Sequence, residues 1–270
     1  MTADELEARM LDWLETPEAD RQKQMAEEPS INSLPPLQFR EGDRVRHHLF
    51  EIRDPRNPWV TSHKRIGEAV WLVGSFGHPP YREWVAKYFE SGRDSKPHRR
   101  KWNCSDEHRF YRGRAPDEIL AQGLELAAYL RAHFNDYEYD DTKVVLWYAN
   151  LVFYRTWIGA LREKAVLDKL NESAPAWRHG TWEEDRHQGV DIICDEASVG
   201  VQVKPLSFLS RPDELAAWKK LSVNYPGVPI LVVASNDDEF VVIGRLGDEE
   251  VRMSTSLAGL RTTVLEVARG

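Results

Sequence analysis

From Gly189 to Phe208 the chain reads GVDIICDEASVGVQVKPLSF, and its second half alternates with period two. Val199, Val201 and Val203 fall on one side, Gly200, Gln202 and Lys204 on the other, which predicts a strand with one buried face. VDIIC just upstream predicts a second strand, and AWRHGTW a short one before it. PILVVAS and EFVVIG repeat the strand signal further on. Between them and VGVQVK, PDELAAWKKLSVNY has helical spacing, with Pro212 near its start.

Before residue 172 the period is helical. Residues 3–28 predict one acidic amphipathic helix with Leu6, Met10, Trp13 and Leu14 along one side. Pro29, Pro35 and Pro36 break the chain, and residues 37–68 carry many charges, Pro55 and Pro58 without a regular pattern. GEAVWLVGSFG is a short apolar element, and YREWVAKYFESG a helix closed by Gly92. Pro116 opens the helix DEILAQGLELAAYLRAHF, NDYEYDD interrupts, and an apolar helix follows from Val144 to Asn171. The order from there is helix, three strands, helix, two strands, with no internal repeat.

Length and composition narrow the class. The chain has 270 residues, 41% of them hydrophobic, enough for one large domain or two packed ones. No apolar run approaches the roughly 20 residues that span a bilayer. The acidic N-terminus lacks the basic and apolar regions of a secretory signal, so a cytoplasmic protein is expected. Cys104 and Cys194 belong to no CxxC pair, which argues against a disulfide framework, a Cys-rich zinc site or an iron–sulfur cluster; Cys194 reads as a small core residue. The net charge of −8 argues against a protein that coats nucleic acid indiscriminately. The distribution is uneven, however: residues 93–114 hold eight basic and three acidic side chains, whereas residues 1–30 hold three basic and nine acidic.

A Gln and a Lys two apart on one strand, with Asp191 at the start of the strand before it, resemble the PD-(D/E)xK nuclease core. In that superfamily an Asp and an acidic-x-Lys pair meet where two strands diverge, and a Glu often joins them from the preceding helix. The resemblance runs over about residues 144–244. It implies an α/β fold, a central mixed sheet flanked by helices, with Asp191, Gln202, Lys204 and, from GALREKAVLDKL, Glu163 as catalytic residues. VGVQVKPLSF further resembles restriction enzymes of the MjaI type, which cut CTAG. Such enzymes join a nuclease core to a recognition portion; here residues 141–270 would be the catalytic core and residues 1–140 a mainly helical portion for DNA recognition and dimerisation.

The chemistry fits the spacing. Hydrolysis of a phosphodiester needs a hard cation, an activated water and neutralisation of charge on phosphorus. Mg²⁺ prefers oxygen ligands, which Asp191, the Gln202 amide, the Val203 carbonyl and Glu163 can supply. Lys204 returns to the face of Gln202, where its ammonium can hold a water near the phosphate. Gln202 departs from the usual Glu, which lowers the charge of the site by one unit; Glu163 can restore it. The bland alternative is that Gln202 and Lys204 are the solvated face of an ordinary strand.

For DNA contacts the basic segment leads, with Arg93, Lys96, Arg99, Arg100 and Lys101 close together and Trp102, Phe110 and Tyr111 interleaved. His63, Lys64 and Arg65 form a second candidate. His179 and His187 flank the expected site and could touch a phosphate; the adjacent His47 and His48 cannot form an i, i+4 zinc pair. Three functions stay open: a Mg²⁺-dependent type II restriction endonuclease acting on double-stranded DNA as a homodimer, a repair or mobile-element nuclease on the same core, and a DNA-binding module that has lost catalysis.

Overall fold

A computed structural model describes residues 1–27, 69, 72–93, 113–133, 140–181, 184, 189–210, 215, 218, 229–236, 239–246 and 249–269. Two compact units divide the chain, Met1–Ala160 and Leu161–Gly270, twenty residues later than the boundary read from the sequence.

The first unit is helical wherever it has regular structure among the described residues. Thr2 and Glu5 open α1 (Ala3–Leu11) with a reciprocal capping box, the Thr2 N–H donating to the Glu5 carboxylate at 2.7 Å. Leu6 and Met10 are buried beneath it. The single helix expected over 3–28 is two. A short 3₁₀ turn, Trp13–Glu15, buries Trp13 and turns Leu14 outward, and α2 (Glu18–Glu27) starts afresh. The reason is Pro17, which lacks an N–H and pushes Thr16 into extended backbone. α3 (Tyr81–Arg93) runs on through Gly92, and α4 (Pro116–His133) begins at Pro116. α5 (Asp141–Asn150) is capped by Asp140, whose carboxylate accepts from the Lys143 N–H at 2.8 Å. A π-helical turn, Leu151–Arg155, leads into α6 (Thr156–Leu170). The core is aromatic: Trp84, Tyr88, Phe89 and Phe153 are fully buried and meet tilted or edge-on, at centroid distances such as 4.8 Å for Phe89–Phe153 and 5.0 Å for Tyr88–Phe153.

The second unit is a six-stranded mixed sheet flanked by helices: β1 (Arg178–His179), β2 (Ile192–Cys194), β3 (Val199–Pro205), β4 (Ile230–Ser235), β5 (Phe240–Leu246) and β6 (Glu249–Thr255), in spatial order 1-2-3-4-5-6. All neighbours are antiparallel except β3 and β4, and that parallel pair requires a crossover. Residues 206–229 make it, with helical Leu215 and Trp218 inside. The indole N–H of Trp218 donates to the Ile230 carbonyl at 3.2 Å and so ties the crossover to the first residue of β4.

Period-two alternation divides the sheet into two buried faces. Val201, Val203, Leu231, Val233, Phe240 and Val242 face Val166 and Leu170 of α6, and Leu260, Val264 and Val267 of α7 (Leu260–Arg269). Val232, Ala234, Val241 and Ile243 face Phe208, Leu215 and Trp218. Cover on both faces explains why PILVVAS is apolar without a break. Each fully buried Val or Leu stabilises the unit by roughly 1.5–3 kcal/mol. Cys194 is buried on the first face, as its apolar setting implied. The outer strands differ: β1 has two residues, while β6 has seven, with Arg252, Met253 and Ser254 exposed. Neither β6 nor α7 was read from the sequence. Among the described residues no helix is long and apolar enough to cross a membrane.

Candidate active site

The site begins where β2 and β3 part. Gly189 adopts φ +64°, a left-handed turn that an L side chain rarely takes. Val190 then packs with Ile193 and Ile230 in a small cluster against Gly200 of β3, where an added Cβ would come within 3.0 Å of the Val190 methyls. Asp191 follows. Its N–H donates to the Val201 carbonyl at 2.9 Å, and its own carbonyl accepts from the Gly180 N–H at 2.8 Å.

The Asp191 side chain does what backbone does elsewhere in the ladder. Its Oδ2 accepts from the Val203 N–H at 2.6 Å, a short, charge-assisted bond in place of a rung to β2. A strand residue points its N–H and C=O to the same neighbour, so the Val203 carbonyl faces the side on which Asp191 lies. A carboxylate and a backbone carbonyl therefore meet at the divergence of two strands.

Gln202 and Lys204 stand on the opposite face from Val203, in register with Val232 and Ala234 of β4. Both are half-buried. Neither side chain forms a hydrogen bond or ion pair with a described residue, so among those residues no acid neutralises the Lys204 ammonium. Glu163 is half-buried on α6, on the same helical stripe as Val166 and Leu170. It approaches from the Val203 face, whereas Gln202 and Lys204 project from the other. The sheet edge at Asp191 is the place where groups from both faces can converge.

His179, on β1 opposite Ile192, adjoins this edge. Sheltering of its ring lowers the imidazole pKa, opposed by the nearby Asp191 charge and by a hydrogen bond to the Asp191 backbone; Asp168 also raises it and Lys164 lowers it.

A charged cluster beside it escaped the sequence reading. Arg178 bonds Glu184 with both terminal nitrogens (2.8 and 3.0 Å) and Asp195 through Nε and Nη2 (2.7 and 2.8 Å). Arg178 holds the Glu184 carboxyl down at about 2 and lowers Asp195 as well, while its own guanidinium is raised. Glu184 also caps Thr181, whose N–H donates to its carboxylate at 2.6 Å, and its carbonyl accepts from the Val190 N–H at 3.1 Å. The cluster ties the loop before Asp191 to the hairpin turn after it. Thr181-x-x-Glu184 is a capping-box spacing and was the one legible sign of it; the Arg178–Asp195 contact, seventeen residues apart, left none.

Of the expected DNA contacts only Arg93 is described. It ends α3 and pairs with Glu7 of α1. Lys96, Arg99, Arg100, Lys101, Trp102, His63, Lys64 and Arg65 lie outside the described residues, as do His187 and Cys104.

The donor set suits a hard cation. Asp191 carboxylate, Val203 carbonyl and Gln202 amide are all oxygens, and among the described residues no three His, Cys, Asp or Glu side chains gather as a metal site. A cation that accepts few protein oxygens and keeps several waters, such as Mg²⁺, fits this set better than a transition metal held by nitrogen or sulfur.

A mixed sheet of this order, with helices on both faces, has the architecture of a restriction-endonuclease-like core. The family model of the MjaI restriction endonuclease matches residues 56–239, about two thirds of the chain, and the chain belongs to that family. No curated protein and no solved structure gives a match.

Proposed function

We propose that the protein is a Mg²⁺-dependent type II restriction endonuclease that hydrolyses phosphodiester bonds of double-stranded DNA at a short specific site, through a PD-(D/E)xK-type constellation. The single observation that carries the reading is the Asp191 carboxylate bonded to the Val203 N–H at 2.6 Å, on the strand that bears Lys204. Family membership supports the coarser statement, a restriction endonuclease.

Asp191, Val203 and Gln202 would hold the cation, with Glu163 contributing the second carboxylate. The cation would supply neutralisation of charge at the phosphate and acidify a water. Lys204 holds the attacking water against the phosphorus and stabilises charge as it develops on the phosphoryl oxygens. The Val203 N–H fixes one Asp191 oxygen at 2.6 Å, so the carboxylate keeps its orientation. Cutting two strands from one constellation per chain calls for a homodimer. Residues 1–140, with the basic segment 93–114, would recognise DNA and dimerise, and residues 141–270 would cut. The cytoplasm, where the DNA is, is the expected compartment.

The test is incubation with a long DNA of known sequence and Mg²⁺. Discrete bands, with ends mapping to one short sequence, support the reading. Structure-dependent nicks would move the assignment to a repair or mobile-element nuclease, and binding without cutting to an inactive DNA-binding module.

A further inference from the structure

Arg162 precedes Glu163 on α6 and is half-buried, with a buried Nε that has no hydrogen-bond partner. Among the described residues its guanidinium makes no ion pair and no hydrogen bond at all. Its neighbours in the same unit behave otherwise: Arg178 holds two carboxylates, Arg252 pairs with Glu250, and Arg261 donates to the carbonyls of Leu170 and Ala174. Arginine is almost never buried unless paired, because taking the ion from water without a counter-charge is costly. A half-buried guanidinium that no oxygen of the described residues meets is a group suited to an anion from outside.

The helix places this cation at the catalytic end of the sheet. α6 ends at Leu170, and the chain then passes Trp177 into β1, so the last turn of α6 lies at the start of β1. Lys164, nearer the helix start, and Asp168 in the last turn act electrostatically on His179 in β1, next to Gly180, which bonds Asp191. Arg162, half a turn before Lys164, is at that end too. It lies on the flank away from the Lys164–Asp168 pair, one turn before the buried Val166. A second unmatched donor marks the same end of the same face. Ser235, two residues beyond Val233 on β4, is 1% exposed, and its hydroxyl has no partner.

We propose that Arg162 binds a DNA backbone phosphate next to the scissile one, on the opposite face of the site from Lys204. The proposal rests on the nuclease reading above. A guanidinium takes a phosphate with two parallel N–H bonds, and the charge of the duplex supplies the anion that the described residues do not. Burial of Nε directs the outer nitrogens, Nη1 and Nη2, to the ligand.

The test compares wild type, Arg162→Met and Arg162→Lys on a labelled duplex bearing the mapped cut site, in EDTA so that nothing is cut. Met keeps the aliphatic stem and removes the charge. It should raise the dissociation constant about tenfold or more and lower the slope of log affinity against log salt by about 0.9, one phosphate contact. Lys should keep the slope and lose part of the affinity, since it cannot bond in parallel pairs. The melting temperature of the unliganded Met variant should hold or rise, because an unpaired ion has left a half-buried position. A wild-type salt slope in the Met variant overturns the proposal, as does a fall in melting temperature of several degrees with unchanged binding, which would make Arg162 a packing residue. Wild type that fails to bind the duplex in EDTA and cuts no DNA in a parallel incubation with Mg²⁺ would sink the nuclease reading instead, a result distinct from the Arg162 comparison.

Discussion

Asp191 has two roles that two substitutions can separate. Asp191→Ala removes both the proposed cation ligand and the acceptor for the Val203 N–H, bonded at 2.6 Å. Val203 is 8% exposed, so its N–H has little recourse to water. A hydrogen bond to a charged group is worth about 1.5–3 kcal/mol, and an orphaned buried donor costs about as much. With roughly 4 °C per kcal/mol at this size, Asp191→Ala should melt about 6–12 °C below wild type. Asp191→Asn keeps an oxygen at the same place and loses only the charge assistance, about 1 kcal/mol or about 4 °C by the same conversion. Both should abolish cleavage. Wild type should melt higher in Mg²⁺ than in EDTA, because a ligand that binds only the folded state stabilises it by mass action; neither variant should respond. Differential scanning fluorimetry in both buffers, with cleavage of a long DNA alongside, reads all of this. An Ala variant that melts with wild type would refute the structural role, and an Asn variant that still cuts at near wild-type rate would refute the chemical one.

Lys204→Ala should abolish cleavage while leaving DNA affinity and melting temperature near wild type, within about 0.5 kcal/mol of stability, since Lys204 bonds no described residue; retained cutting would remove it from the chemistry. Arg178→Gln should destabilise most at neutral pH. Glu184 at about 2 against a usual 4.5 is ~3 kcal/mol in isolation, cut to ~1 kcal/mol by solvent screening. Because the folded-state pKa is depressed, that stability is fully present above about pH 4.5 and is lost as pH falls toward 2; urea unfolding at pH 7 and pH 3 should therefore show a gap between wild type and variant that narrows in acid, and a constant gap would contradict the assignment. Gly180→Ala should cost about 1–3 kcal/mol, because its Cβ would run into the Val190 carbonyl oxygen and push β1 from the segment that carries Asp191; an unchanged melting curve would show that β1 shifts freely.

How much of this was legible in the sequence depended on which physics set each element. β3 and β4 were visible because burial imposes a strict period, and Pro116 marks a helix start by local chemistry alone; the Asp140 cap was passed over, and the helix it opens was read from Val144. The break at Pro17 was available in principle, but apolar spacing across it suggested one helix. β6 was hidden because its mostly exposed residues carry no apolar alternation, and α7 because LRTTVLEVAR follows it without a capping signal. Asp191, Gln202 and Lys204 were singled out by their resemblance to the PD-(D/E)xK pattern along two strands. The bond from Asp191 to the Val203 N–H was not legible, since it depends on where β2 leaves β3. Nor was the Arg178 cluster, made by residues that only the hairpin register brings together.

The two ends of the sheet bear on how the protein behaves in concentrated solution. An open strand edge offers unpaired N–H and C=O groups to any other chain, including another copy misfolding beside it. β1 defends its edge by being only two residues long. Among the described residues β6 is the other outer strand, seven residues long and free of proline, long enough to template a foreign strand, and charge punctuates it at Glu249, Glu250 and Arg252, the last two paired with each other. Apolar replacements there would leave the core untouched, yet turn the outer strand into a nucleus for edge-to-edge aggregation. Overproduction and refolding yields should therefore be more sensitive to these three surface residues than to any others on the strand.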